Sequence, residues 1–81
     1  MNDVSDFLSN EKAEELLALG LKYCLGNGVP KNLVEAHKWF NISASKGNTA
    51  ARAYRSELAL EMSAAEIAEA QRQARALCTV H

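Results

Sequence analysis

Apolar and polar positions along the chain fall into four stretches with helical period, separated by short polar or glycine-bearing breaks. The first is predicted to run from about Glu11 to Leu25. At about 100° per residue, Ala13, Leu16, Leu17, Leu19, Gly20, Tyr23 and Cys24 share one face. Glu14, Ala18, Leu21 and Leu25 point the other way. Ser9 and Asn10 are candidate caps, and Glu11, Glu14 and Glu15 suit the positive end of the helix dipole. Phe7 and Leu8, upstream, are expected to fold back as a lid on this helix.

The stretch GNGVPKN then breaks the period. Gly26 and Gly28 permit positive φ, and Pro30 lacks the N–H that a continuing helix would use. Neither flank alternates as a strand would, so the break reads as a helix–loop–helix connection rather than a hairpin. The second helix is expected from Asn32 to about Lys46, opened by the capping-box spacing of Asn32 and Glu35. Leu33, Ala36, Trp39, Phe40, Ser43 and Ala44 fall on its inner face, which leaves Ile42 stranded outside. Lys46-Gly47-Asn48 ends it with a cation and a glycine suited to the left-handed C′ position. A third helix is expected from about Thr49 to Glu61, with Ala50, Ala51, Tyr54, Leu58 and Met62 inward. Ser63 and Glu66 form a second capping box and start a fourth helix reaching about Leu77, with Ile67, Ala70, Ala74 and Leu77 inward. The whole reads as an all-α array in a single domain.

Composition sharpens that reading. Apolar residues make up 48% of the chain but aromatics only 6%, because alanine supplies much of the total. Alanine propagates helices and is depleted in strands, so closely packed helices are favoured over a sheet. With 81 residues the core is thin, and a covering partner would add stability. The net charge of −1 and the lack of a basic stripe argue against nucleic acid as partner. MNDVSDFLSN has no basic n-region and no long apolar run, so neither an export signal nor a membrane span is expected, and the cytoplasm is the expected location. Cys24 and Cys78 are then expected to be free thiols.

Candidate chemistry is sparse. Cys78 and His81 have half the spacing of a zinc site, and Cys24 and His37 are the other soft ligands. Cys24 belongs to a packed face and His37 to the edge of one, so structural roles are expected and no metal or cofactor. Asn41-Ile42-Ser43 fits a glycosylation sequon but lies inside a predicted helix. No nucleophile–base pair, P-loop or dinucleotide fingerprint is present. Arg52, Arg55, Arg72 and Arg75 are expected to interleave with Glu57, Glu61, Glu66 and Glu69 as surface pairs.

The segment LGLKYCLGNGVPKNLVEAHKWFNISASKGNTAA resembles the Sel-one-like repeat, a relative of the tetratricopeptide repeat. The matching positions are Leu19, Gly20, Tyr23, Gly26, Gly28, Val29, Ala36, Trp39, Phe40, Ala44, Gly47 and Ala50. ELALEMSAAEIAEAQRQARAL is similar to the C-terminal extension that follows the last repeat in bacterial members. The resemblance covers about residues 13 to 77, with one full repeat over 11–47 and a C-terminal helix pair over 48–78. It implies a short right-handed α-α superhelix. Gly20 would let the first helix approach the second near Ala36, and Trp39-Phe40 would be the packing centre. Ser43 and Ser45 replace the more usual alanines.

The resemblance also implies a non-enzymatic protein–protein interaction module, a small adaptor or regulator. The residues add an outward apolar strip at Ala18, Leu21 and Leu25, flanked by Glu14 and Lys22, with Ile42 stranded on the neighbouring helix. Two alternatives use the same strip. One is a small inhibitor, for example one encoded by a mobile element, that blocks a partner's site. The other is a homodimeric structural unit in which a second copy supplies the missing repeats.

Overall fold

The computed structural model describes residues 12–78. These form four α-helices: α1 Ala13–Leu25, α2 Leu33–Ser45, α3 Thr49–Ala59 and α4 Ala64–Cys78, with no strand among the described residues. The fold is all-α, and each helix lies within about two residues of where the periodicity places it. The expected lid at Phe7 and Leu8 and the caps at Ser9 and Asn10 lie outside the described residues.

The helix ends follow from specific side chains. Lys12 is the extended N-cap of α1, and its N–H donates to Glu15 Oε1 at 3.0 Å. At the other end Gly26 takes φ 68° and the Asn27 N–H reaches back to the Lys22 carbonyl at 2.9 Å. Gly47, at φ 103°, closes α2 the same way: its N–H donates to Ala44 and the Asn48 N–H to Ser43. Both ends place a left-handed glycine at C′, and the α2 end makes both bonds of the Schellman motif. Asn48 then caps α3 at once, accepting the Ala51 N–H at 2.8 Å. Ser63 and Glu66 exchange both bonds of a capping box at the start of α4.

Asn32 completes only half of its box. Its Oδ1 accepts the Glu35 N–H at 3.0 Å, but its own N–H donates to the Tyr23 carbonyl at 3.0 Å. That bond ties the start of α2 to the end of α1. Glu35, relieved of capping, accepts from Trp39 Nε1 at 3.0 Å and from Lys38 Nζ at 2.9 Å.

α2 is the hub, because α1, α3 and α4 each pack extensively on it. Leu58 of α3, Met62 of the connecting turn and Ala70 of α4 join one shared cluster with α2. That cluster holds Ala36 and Phe40 at its centre, with Leu17, Leu21, Tyr23, Cys24, Leu33, Val34 and Ile67 packed around it. A second cluster, Leu16, Ile42 and Ala74, is covered by Trp39 and Leu77. α2 therefore buries two faces, whereas a single inner stripe was expected. Ile42, expected outside, is only 1% exposed: the second face meets α1 at Leu16 and α4 at Ala74. Ser43, where an alanine is more usual, is also fully buried and donates to the Ala13 carbonyl at 2.6 Å, a bond from α2 to the first turn of α1.

The packing centre is Phe40 rather than the Trp39-Phe40 pair. Phe40 is fully buried and Trp39 only half-buried. A side chain of this size contributes about 1.5–3 kcal/mol when withdrawn from water. Gly20 faces the Phe40 ring. A methyl group added there would come within 2.5 Å of the ring, so the absence of a side chain sets how close α1 lies.

Candidate interaction surface

The expected strip on α1 divides. Glu14, Ala18 and Lys22 are exposed, and Leu25 is 71% exposed. Leu21 is half-buried and packs against the Phe40 cluster, and Ile42 lies in the core. The reason for Leu21 is α2, which lies broadly over α1 and covers side chains beyond a narrow stripe. The structure thus leaves Leu25 as the one large apolar side chain of that strip in solvent.

α3 departs from expectation in a more useful way. Ala51, Leu58 and Met62 are buried as expected, but Ala50 and Tyr54 turn outward. The Tyr54 ring stacks on Phe40 with centroids 5.6 Å apart and an interplanar angle of 20°. Its other face stays open, and the residue is 43% exposed. Tyr54 and Leu58 form the floor of an open groove of about 420 Å3, bounded by Cys24 from α1 and by Ala50 and Ala53. Glu57 and Glu61 stand on its rim. The signal was present in the sequence as a stripe at positions 50, 53, 54, 57, 58 and 61, but the inward assignment of Ala50 and Tyr54 concealed it.

A second groove of similar volume lies between α2 and α4, bordered by Asn41, Ser45, Gln71 and Arg75. Its lining is polar, and Cys78 sits at its edge. Cys24 is half-buried, Cys78 exposed, and both are free thiols. Among the described residues no group of three His, Cys, Asp or Glu side chains is placed to hold a metal ion. The half-site at Cys78 and His81 runs past the described residues. No described helix is long and apolar enough to cross a membrane.

Of the expected surface pairs Arg72 with Glu69 forms, while Arg55 and Glu66 serve elsewhere. Arg72 bonds Glu69, whose carboxyl is held below the usual range by that guanidinium and by the Gln73 amide. Arg55 instead donates to Asn41 on α2 at 2.6 Å. Glu66 serves as a cap. Lys38 is largely buried, ion-paired with Glu35 and placed 4.8 Å from the Trp39 ring centroid.

His37 is 2% exposed, and its Nδ1 has no hydrogen-bond partner. Burial, and then the nearby Arg55 charge, push its pKa below the ordinary 6.5. Burial thus favours the neutral imidazole, and His37 does not line the α3 groove.

The chain matches no family model, no curated protein and no solved structure.

Proposed function

We propose that this chain is a non-enzymatic protein–protein interaction module, a small adaptor or regulator. The observation that supports this best is the open, mainly apolar groove along the outer side of α3. Tyr54 keeps an aromatic face in water while its other face rests on Phe40, so the groove floor is rigid and unpaired. A rigid aromatic at the centre of an apolar patch, with charged groups at the edge, is how interfaces concentrate affinity. Leu25, following Cys24 at the end of α1, adds exposed apolar area.

The resemblance of residues 13–77 to the Sel-one-like repeat points the same way, toward a short α-α superhelix that serves as a scaffold. On that reading α1 and α2 are the repeat, and α3 presents the surface onto which a further helix would dock. Two free thiols suit a reducing compartment, and the cytoplasm is the location this reading favours.

The test is site-specific photocrosslinking in the native host. A benzophenone amino acid replaces Ala53 in the groove or, as control, Arg72 on the exposed face of α4. A discrete protein adduct from position 53 alone is expected. Equal, diffuse labelling from both positions would sink the reading.

A further inference from the structure

Resting on that reading, we infer that the α3 groove takes an amphipathic helix of another protein, about three turns long, with Lys or Arg beside its apolar face. The groove stripe runs from Ala50 to Glu61, about 16 Å at 1.5 Å per residue. That length matches about three turns of an incoming helix. Ala50 and Ala53 present only methyl groups, so a second helix backbone can come close, while Tyr54 and Leu58 supply the apolar floor. A strand has no edge to pair with, since the described residues hold no sheet. Helix-in-groove packing is the mode that the length of the groove and its alanine border favour.

The charge of the occupant follows from the rim. Glu57 on α3 and Glu61, just past its end, both line the groove, and neither carboxylate has a hydrogen bond or ion pair among the described residues. Two carboxylates lining one groove repel each other. The arginines of α3 do not relieve them. Arg52 and Arg55 lie about 140–200° around the helix from Ala50, and Arg55 is committed to Asn41. A cation from outside is the complement that the rim lacks.

Occupants from this chain fit poorly. Residues 1–11 carry Asp3, Asp6 and Glu11 and no Lys or Arg, so the rim would repel them. A second copy offers few anchors. Among the described residues the large apolar side chains in solvent are Leu25, Tyr54 and Leu60, and only Leu25 has a cation three or four residues away on its own helix, Lys22. A single anchor does not fill three turns of groove.

A random 14-residue peptide library panned against the full chain tests this, with Ala53→Gln as the subtractive control. Ala53 is exposed, so this variant obstructs the groove without disturbing the core, and circular dichroism checks its helix content. The expected binders are lost with Ala53→Gln. They carry Leu, Ile or Phe at i, i+3 or i+4 and i+7, with Lys or Arg alongside. A synthetic consensus peptide should gain helicity on binding. It should bind about tenfold more weakly to Glu57→Lys/Glu61→Lys, and a Lys-to-Glu version should recover on that variant. Groove-dependent binders that are acidic, uncharged or extended would overturn this inference and leave the interaction reading standing. No groove-dependent binders at all would overturn both. A dimer in sedimentation that Ala53→Gln dissociates would overturn it in favour of a second copy.

Discussion

Phe40 and Gly20 show how much of this fold rests on two side chains, one of them absent. The Phe40 ring is fully buried and sits 2.5 Å from where a Gly20 Cβ would lie. Gly20→Ala would gain about 1 kcal/mol of helix propensity. It would also force the ring or α1 to move, an overpacking cost of about 1–3 kcal/mol. A net loss is expected, visible as a lower melting temperature by circular dichroism; a variant that melts higher than wild type would mean that α1 can slide freely. Phe40→Ala should cost about 3–5 kcal/mol. Trp39→Ala should cost less, because that ring is partly exposed and covers the second cluster rather than filling the first. The sequence marks the adjacent pair without saying which ring is central, since both lie near the inner face and only the position of α1 decides. His37 adds a pH dependence. Its folded pKa lies below the ordinary 6.5, so the unfolded chain binds the proton more readily. The stability is therefore present above about pH 6.5 and is lost as pH falls from there toward the folded pKa. Denaturant melts at about pH 7.5 and 5.5 should show this loss, and His37→Leu, which removes the unpartnered Nδ1, should flatten it. An unchanged slope in His37→Leu would assign the effect to other groups.

At the scale of the helix, the ends were more legible than the faces. Gly26, Gly47, Asn48 and the Ser63–Glu66 pair act where their chemistry says they should, because a cap depends on residues within one turn of itself. Faces depend on how many neighbours a helix has, and the period alone does not count them. α2 has three extensive neighbours, so Ile42 is buried on a second face. α3 packs on α2 alone to a comparable extent, so Tyr54 and Ala50 are left outside. Asn32 illustrates the boundary between these cases. Its cap to Glu35 is local and forms, whereas the returning bond from Glu35 loses to a carbonyl of the preceding helix. Asn48 is the cap with the most at stake, because it ends one helix and starts the one that carries the groove. Asn48→Ala should cost about 1 kcal/mol, or about 4–8 °C in a domain of this size. Asn48→Asp should recover most of that loss. Equal melting of all three proteins would show that Gly47 alone fixes the turn.

Across the whole molecule, the distribution of solvent-facing apolar side chains decides which surface can carry an interaction. The outer strip expected on α1 and α2 joined Leu21, Leu25 and Ile42, but these three belong to different environments. Ile42 is core, Leu21 packs on the Phe40 cluster, and Leu25 is in solvent. Charge substitutions should separate them. Leu21→Glu places a carboxylate against buried apolar groups, a change that costs several degrees of melting temperature. Leu25→Glu removes mostly exposed area and should fall within about 0.5 kcal/mol of wild type. A dimer built on the α1 strip would show the opposite signature: Leu25→Glu would dissociate it in sedimentation while leaving the folded monomer intact. The area available argues against a strong dimer there. Stable interfaces bury about 800 Å2 on each partner, and one leucine with Ala18, Glu14 and Lys22 around it falls far short. Wild type is therefore expected to sediment as a monomer at micromolar concentration, with Leu25→Glu indistinguishable from it. A concentration-dependent dimer that Leu25→Glu abolishes would return the interaction surface to α1 and away from the α3 groove.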